Sequence, residues 1–290
     1  MLNKIINIDC EKFLENYEGK KFDLTFLDPP FNQSKHYRSY NDNISPHHYW
    51  SWMKNVCKLI YENSSDGSSI YFMQREKNAK DVLDILNSTG WIFQNLIIWK
   101  KMTSAVPSEI RFGKQYQIIA FATKGPRARV FNKIRIDPPL LENQKYKRPN
   151  GMFVTDVWDD IRELTSGYFS GDEPLRYENN ERVHKQQSPI HLLTRIILSS
   201  TKAGDMVFDP FAGTGTTILA SKQLQRNSIG LEIDEINCEF IINRMKRLRP
   251  SDDITKLYSY YRYTDNLEEL WPNDNNIDTF EQRPIQLKII

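Results

Sequence analysis

The sequence predicts an α/β fold, a largely parallel sheet layered with helices, and three observations carry the prediction. Short apolar runs alternate with segments of helical period over residues 1–123 and again over 184–248. Two of the apolar runs lead straight into special turns, TFLDPPF at 25–31 and MVFDPFAGTG at 206–215. The chain has 290 residues, of which 39% are hydrophobic and 26% charged, enough for one large core with an insert.

The elements follow in order. Residues 5–8 form a short strand ending at Asp9, and 11–17 a helix. KFDLTFL at 21–27 suits a strand of a buried sheet, and the two prolines after it remove amide donors and stiffen the backbone. A helix over 48–61 places Trp52, Val56, Leu59 and Ile60 at helical spacing. Strand 68–73, helix 77–88 with Val82, Ile85 and Leu86 inward, and strands 91–99 and 116–122 complete the first half. After an irregular stretch, helix 189–200 turns Leu192, Leu193, Ile196 and Ile197 inward. Ser188 is expected to cap it, with Pro189 in its first turn. Strand 206–209, helix 216–224, strand 228–233 and helix 234–248 follow, with Pro250 marking the stop.

This reading divides the chain into 1–123, an inserted module at 124–183, a second half at 184–248, and a tyrosine-rich, peripheral tail at 249–290. The insert opens on a basic run. Residues 124–148 hold eight Lys/Arg against two acids, a net of +6, although the whole chain carries only +2. Any nucleic-acid surface must therefore be local. Cys10, Cys57 and Cys238 are far apart and show no metal-ligand spacing, so neither a disulfide scaffold nor a metal site is expected. The N-terminal residues lack a signal-peptide pattern, and no run approaches the ~20 apolar residues of a membrane span, so a reduced cytoplasm is the expected location.

Two constellations carry chemistry. Asp28, Pro29, Pro30 and Phe31 place a carboxylate, carbonyls that no helix can claim, and an aromatic ring at the end of a strand. A second DPP, Asp137-Pro138-Pro139-Leu140, follows a charge-interrupted segment and lacks the aromatic, so it reads as a plain turn. After the strand ending at Asp209, Phe211-Ala212-Gly213-Thr214-Gly215 gives a tight turn open to close approach, and the helix from Thr216 and Thr217 offers free amides. Glu232 ends the next strand, where an acid can hold ribose hydroxyls. Ile218 stands where a dinucleotide site has its third glycine, so a nucleoside with a carboxylate and no pyrophosphate fits at least as well.

With these motifs the sequence resembles the S-adenosylmethionine-dependent methyltransferases that modify exocyclic amines of DNA bases. DPPF at 28–31 resembles their catalytic motif and FAGTG at 211–215 their cofactor loop. The segment 184–189 is similar to the family's HPTQKP, with His184, Gln187 and Pro189 matching and Ser188 departing; Asp9-Cys10 resembles the segment that meets the cofactor adenine. The resemblance covers roughly residues 4–248. The catalytic motif precedes the cofactor loop, the order of the circularly permuted β subgroup, in which the target-recognition region lies between the two. The resemblance implies a Rossmann-like methyltransferase sheet, S-adenosylmethionine as cofactor, no metal, and direct attack without a covalent enzyme intermediate.

It also implies double-stranded DNA as partner, with the target base flipped out, and it leaves a homodimer open. An acid in the first motif position accompanies N6-adenine methylation in the family, so Asp28 favours adenine, in a site-specific enzyme of a restriction–modification system. N4-cytosine methylation, RNA adenine methylation and an inactive binding subunit are the alternatives. Phe31 is expected to stack on the base. Lys35 and Arg38, with Tyr37 and Tyr40, sit on a loop at 32–47 expected to touch DNA and close on the flipped base, and Arg127, Arg129, Lys133, Arg135, Lys145, Lys147 and Arg148 are candidates for phosphate contact.

Overall fold

The computed structural model describes residues 2–35, 38–102, 109–137, 148–164, 171–177, 179–184 and 186–272. Lys145, Lys147, Tyr37, the prolines of the second DPP and residues 273–290 lie outside that set. Strands β1 (Asn3–Asn7), β2 (Phe22–Leu27), β3 (Ser64–Arg75), β4 (Ile92–Lys100), β5 (Tyr116–Thr123), β8 (Val157–Trp158), β9 (Met206–Asp209) and β10 (Asn227–Glu232) form one sheet. Its order is β1-β10-β9-β2-β3-β5-β4-β8. Only β5 among these runs antiparallel to its neighbours. Strands β6 (Arg135–Ile136) and β7 (Met152–Phe153) pair separately within the insert.

The sheet is covered on both faces. Helices α1 (Cys10–Glu15), α2 (Pro46–Glu62) and α3 (Ala79–Ser88) pack Leu14, Met53, Val56, Ile60, Val82 and Leu86 against one face. On the other, α4 (Ile190–Ser200) and α5 (Thr216–Gln223) bury Leu192, Leu193, Ile196, Ile197 and Ala220. Burial on both sides explains why β2 reads FDLTFL, with every residue buried and no alternation. Helix α6 (Glu235–Lys246) completes the second half; Asp234 caps it by accepting from the amides of Ile236 and Asn237.

Strand β2 meets β9 in the middle of the sheet, with Leu24 opposite Val207 and Thr25 opposite Phe208. From β2 the chain steps outward to β3; from β9 it steps the other way to β10, beyond which β1 forms the edge. This is a topological switch point, where the loops after the two strands diverge and leave a crevice at their carboxyl ends. DPPF follows β2 and FAGTG follows β9, so motifs about 180 residues apart in sequence open into one crevice.

The structure corrects the expected elements in three places. Ser188 does not cap α4. Pro189 occupies the cap position, and the Glu173 carboxylate, from the insert, accepts from the Ile190 amide at 2.6 Å. Strand β3 begins at Ser64, four residues earlier than its apolar pattern, because Gly67 exchanges backbone hydrogen bonds with Lys124 and Arg129. The described residues after 249 are not peripheral. Ile254, Tyr261, Leu267 and Trp271 belong to the core beneath α4, and α7 (Leu267–Leu270) closes the described chain. Among the described residues no helix is long and apolar enough to cross a membrane.

Candidate active site

A cavity of about 630 Å³ opens at the switch point. That volume lies in the range of small-molecule sites. Asp28, Pro29 and Pro30 line it from β2; Asp209, Phe211, Ala212, Gly213, Thr214, Thr216 and Thr217 from β9 and α5; and Glu232 from β10. Asp9 and Cys10 reach it from β1, His184, Gln187 and Ser188 from the segment before α4, and Lys35 and Arg38 from the loop after the prolines.

The carboxylates are the chemistry of this cavity. The Ser188 hydroxyl donates to Asp28 Oδ2 at 3.2 Å, joining the catalytic motif to the segment before α4. Burial and the nearby charge of Asp209 push Asp28 up to about 8, opposed by that hydrogen bond and by the charges of Lys101 and Lys35. Burial also lowers Lys101 to about 7. Asp209 accepts from the Phe211 amide at 3.1 Å; burial raises it to about 6 against a hydrogen bond from Thr217. Glu232 accepts from the amides of Gly213 and Asp234, each at 2.9 Å, and burial raises it to about 7.

The cofactor loop is shaped by its glycines. Gly213 takes φ 53° and Gly215 φ 76°, backbone that side chains rarely adopt. A Cβ on Gly213 would come within 3.6 Å of the His184 ring, so its absence keeps the gap between loop and ring open. Burial lowers His184 to about 4, leaving a neutral imidazole whose Nδ1 accepts from the Gln186 amide. Gly215 serves differently. A Cβ there would lie 2.5 Å from Ile241, so this glycine lets α6 pack closely and does not face the cavity. Pro189, capping α4, also stays off the wall.

Phe31 departs from expectation. It is 4% exposed, lies in the core with Phe26, Trp99 and Ile161, and does not line the cavity. The phenyl, phenol and indole rings on the wall are Phe26, Tyr40, Trp52, Tyr177 and Phe211, and Trp52 meets Phe211 edge-on at 5.6 Å. Tyr40 belongs to the loop that the sequence marks for contact with DNA; Trp52 and Tyr177 were missed as wall residues, because an aromatic at helical spacing or in an irregular segment looks like ordinary core. Sequence reading also missed Asp42, whose carboxylate accepts from the amides of Asn32, Gln33 and Lys35 and gathers the loop after the motif.

The basic candidates separate. Arg38 lies 3.9 Å from Asp234 Oδ2 and so pairs across the cavity mouth. Arg129 bridges Asp205 at 2.6 Å and Asp23 at 3.2 Å, both at the amino ends of the central strands. Those contacts place it at the end of the sheet opposite Asp28, as a structural clamp and not at a phosphate. Arg127 and Lys133 lie within four residues of it in the chain, and Asn132, next to Lys133, bonds to the end of α4. Arg135 stacks on Phe153 at 3.9 Å and Arg148 donates to Met152 Sδ at 3.6 Å, holding the insert hairpin together.

A doubly wound sheet with a glycine loop, a strand-end acid and a carboxylate–proline clamp at one crevice defines a Rossmann-like methyltransferase fold. The profile of the DNA methylase family, the N6/N4 methyltransferases, matches residues 22–244. The chain belongs to that family, the S-adenosylmethionine-dependent DNA amino-methyltransferases. It is similar to the Type II methyltransferase M1.MboII of Moraxella bovis, 28% identical over 271 residues that cover 84% of this chain and 98% of the relative. Type II methyltransferase M.HpaI of Haemophilus parainfluenzae is 29% identical over 250 residues, 86% of this chain and 74% of the relative. Among solved structures, the complex of M1.HpyAVI with SAM superposes with a TM-score of 0.57 at 22% identity, over 84% of this chain and 99% of that one. PvuII DNA methyltransferase, described as cytosine-N4-specific, gives 0.63 at 17% identity over 93% and 94%. At these identities the two structures speak for the fold.

The residues present fit the cofactor of the family. Three carboxylates of the cavity, Asp209 buried and Asp28 and Glu232 half-buried, are all raised by loss of solvation and favour a cationic guest, and S-adenosylmethionine carries a sulfonium and an ammonium. Glu232 spends two of its roughly four acceptor sites on backbone amides and a third on the Asn237 side chain, which leaves one for a ribose hydroxyl.

Proposed function

We propose that this chain is a site-specific DNA methyltransferase acting on the exocyclic N6 of adenine, the modification partner of a restriction system. The observation that carries the reading is the meeting of Asp28 and Pro29 with the Gly213 loop and Glu232 in one cavity. Resemblance of DPPF to the family motif supports adenine, and relatives called Type II methyltransferases support the restriction context.

Bound S-adenosylmethionine supplies a sulfonium methyl as electrophile. Glu232 would hold its ribose, Asp9 and Cys10 would meet its adenine, and His184, Gln187 and Ser188 would face its amino-acid end. The rest of the chemistry belongs to the clamp. An exocyclic amine is a poor nucleophile because its lone pair is delocalised into the ring. The Asp28 carboxylate and Pro29 carbonyl accept from its two N–H groups, turn the nitrogen toward sp³ and free the lone pair for attack. As the methyl passes from sulfur to the amine, the S–CH₃ bond breaking as N–CH₃ forms, the amine gives up a proton; Asp28, raised to about 8 in the free enzyme, accepts it once the cationic cofactor beside it favours its ionised form. A base inside a duplex cannot reach a cavity of this kind, so it must be flipped out.

The test is expression in cells without DNA methylation, followed by native sequencing that separates N6-methyladenine from N4-methylcytosine. N6-methyladenine at one recurring motif is expected. N4-methylcytosine would overturn the base assignment, and unmodified DNA from soluble protein that binds cofactor would overturn DNA as the substrate. Asp28→Ala should lower turnover by about 10²–10³-fold or more while cofactor affinity, measured calorimetrically, changes little. Near-normal turnover would remove Asp28 from the clamp.

A further inference from the structure

Two consecutive prolines offer two carbonyls, and a clamp for one amine needs only one of them beside Asp28. What selects it is visible behind the motif. The Tyr49 hydroxyl, on α2, donates to the Pro30 carbonyl at 2.7 Å. Gln74, on β3, donates from Nε2 to the Tyr49 oxygen at 2.9 Å, and its own Oε1 accepts from the Arg75 amide. That last bond fixes which end of the amide faces Tyr49. Because Gln74 already donates to the hydroxyl oxygen, the single Tyr49 proton is committed to Pro30. Both side chains are sealed in, at 1% and 0% exposure, where an unpaired polar group is costly. Burial pushes the Tyr49 hydroxyl far above its usual range, so it stays a donor.

The backbone turns this anchor into a choice. Asp28 and Pro29 each precede a proline, which restricts them to extended or polyproline conformations. With three residues per turn, successive carbonyls in such a segment point about 120° apart. Fixing the Pro30 carbonyl toward α2 therefore fixes the Pro29 carbonyl elsewhere, and Asp28, Pro29 and Pro30 all border the cavity.

We propose that Tyr49 and Gln74 are positioning residues of methyl transfer: by occupying the Pro30 carbonyl they present the Pro29 carbonyl, beside Asp28, to the substrate amine. The inference rests on the clamp reading above and deepens it. Neither side chain lines the cavity, so they act through the motif and touch neither cofactor nor base.

The experiment compares wild type, Tyr49→Phe and Gln74→Glu, using steady-state transfer of labelled methyl to a duplex carrying the motif found by sequencing. Tyr49→Phe keeps the ring and loses the anchor. Its kcat should fall about 10- to 100-fold, the scale of a misplacement near 1 Å. Its KM for DNA and its affinity for S-adenosylmethionine should stay within about twofold, a split that general loosening of the fold would not give. Gln74→Glu supplies a second readout that does not depend on the first variant folding. As a neutral acid the new side chain can still donate to Tyr49; once ionised it only accepts and draws the Tyr49 proton from Pro30. The charged and titratable groups facing this pair are Asp28, Tyr40 and Asp42, with Arg75 next along β3. This variant should lose kcat as pH rises, where wild type does not. A Tyr49→Phe enzyme with kcat within twofold of wild type, or a Gln74→Glu profile parallel to wild type, overturns the proposal alone. A wild type that methylates no DNA overturns it together with the clamp reading.

Discussion

Asp28, Asp209 and Glu232 share one cavity, and each is held at a pKa that a cation would lower. Asp28 is the one whose charge the reaction needs. An acid raised to about 8 is mostly protonated in the free enzyme at neutral pH and becomes an acceptor as pH rises. The kcat/KM profile of the free enzyme should therefore climb with pH through about 8. The limb in kcat should lie lower, because a sulfonium beside Asp28 favours its ionised form. A flat kcat/KM between pH 6 and pH 9 would show that Asp28 does not titrate during catalysis. Glu232 has a separable task. Glu232→Ala removes a hydrogen bond to the ribose, worth about 1.5–3 kcal/mol when one partner is charged, so calorimetry should show cofactor affinity about 10- to 100-fold weaker. Turnover at saturating cofactor should change far less. Unchanged affinity would leave Glu232 as a brace for the Gly213 amide alone.

At the scale of elements, the cofactor loop is held from behind by α6. Arg244 donates to the Thr214 carbonyl at 2.7 Å and pairs with Asp252 through two hydrogen bonds, and Arg249 pairs with the same carboxylate. Against its burial, Arg244 and Arg249 hold Asp252 down to about 2. Arg244→Met would leave Asp252 buried with half its partners. Loss of about 3–5 kcal/mol is expected in urea unfolding, with weaker cofactor binding because Thr214 is no longer fixed. A loss under about 1 kcal/mol would mean that Arg249 suffices. Nothing in the sequence marks Arg244, since a basic residue near the end of a polar helix reads as a solvated face. The strand–turn–helix around FAGTG was legible because its signals are local: an apolar run, two glycines, then helix formers. The same locality explains DPPF and Glu232. The Ser188 cap failed because a residue of the insert, Glu173, reached the helix first. Phe31 failed because the side of the chain on which a ring packs is decided by the neighbouring core, which no short motif encodes.

Over the whole molecule, the order of the motifs was readable and the boundary of the fold was not. The switch point between β2 and β9 follows from alternating elements and the placing of two turns, but the last described segment looked dispensable because it is polar and irregular in pattern. Its function is to supply partners to groups already buried elsewhere. Tyr261 accepts from Arg195 Nε at 3.3 Å, the Leu270 carbonyl accepts from Arg226 at 2.6 Å, and Asp252 serves Arg244. Each of those three arginines is buried. Deleting residues 250–290 would take away these partners together with the apolar surfaces of Ile254, Tyr261, Leu267 and Trp271. The cost is compounded, since a buried cation that loses its partner is penalised more than an apolar surface that is merely uncovered. The truncated chain is therefore expected to lose cooperative unfolding and cofactor binding together, even though every motif of the cavity lies before residue 250. Trp271→Ala isolates the packing part, with an expected loss of about 3–5 kcal/mol. Thermal denaturation and cofactor titration of both variants check the argument. A truncated protein that melts cooperatively near the wild-type temperature would restore the segment to the periphery, and would place the stability of the α4 face in the helices alone.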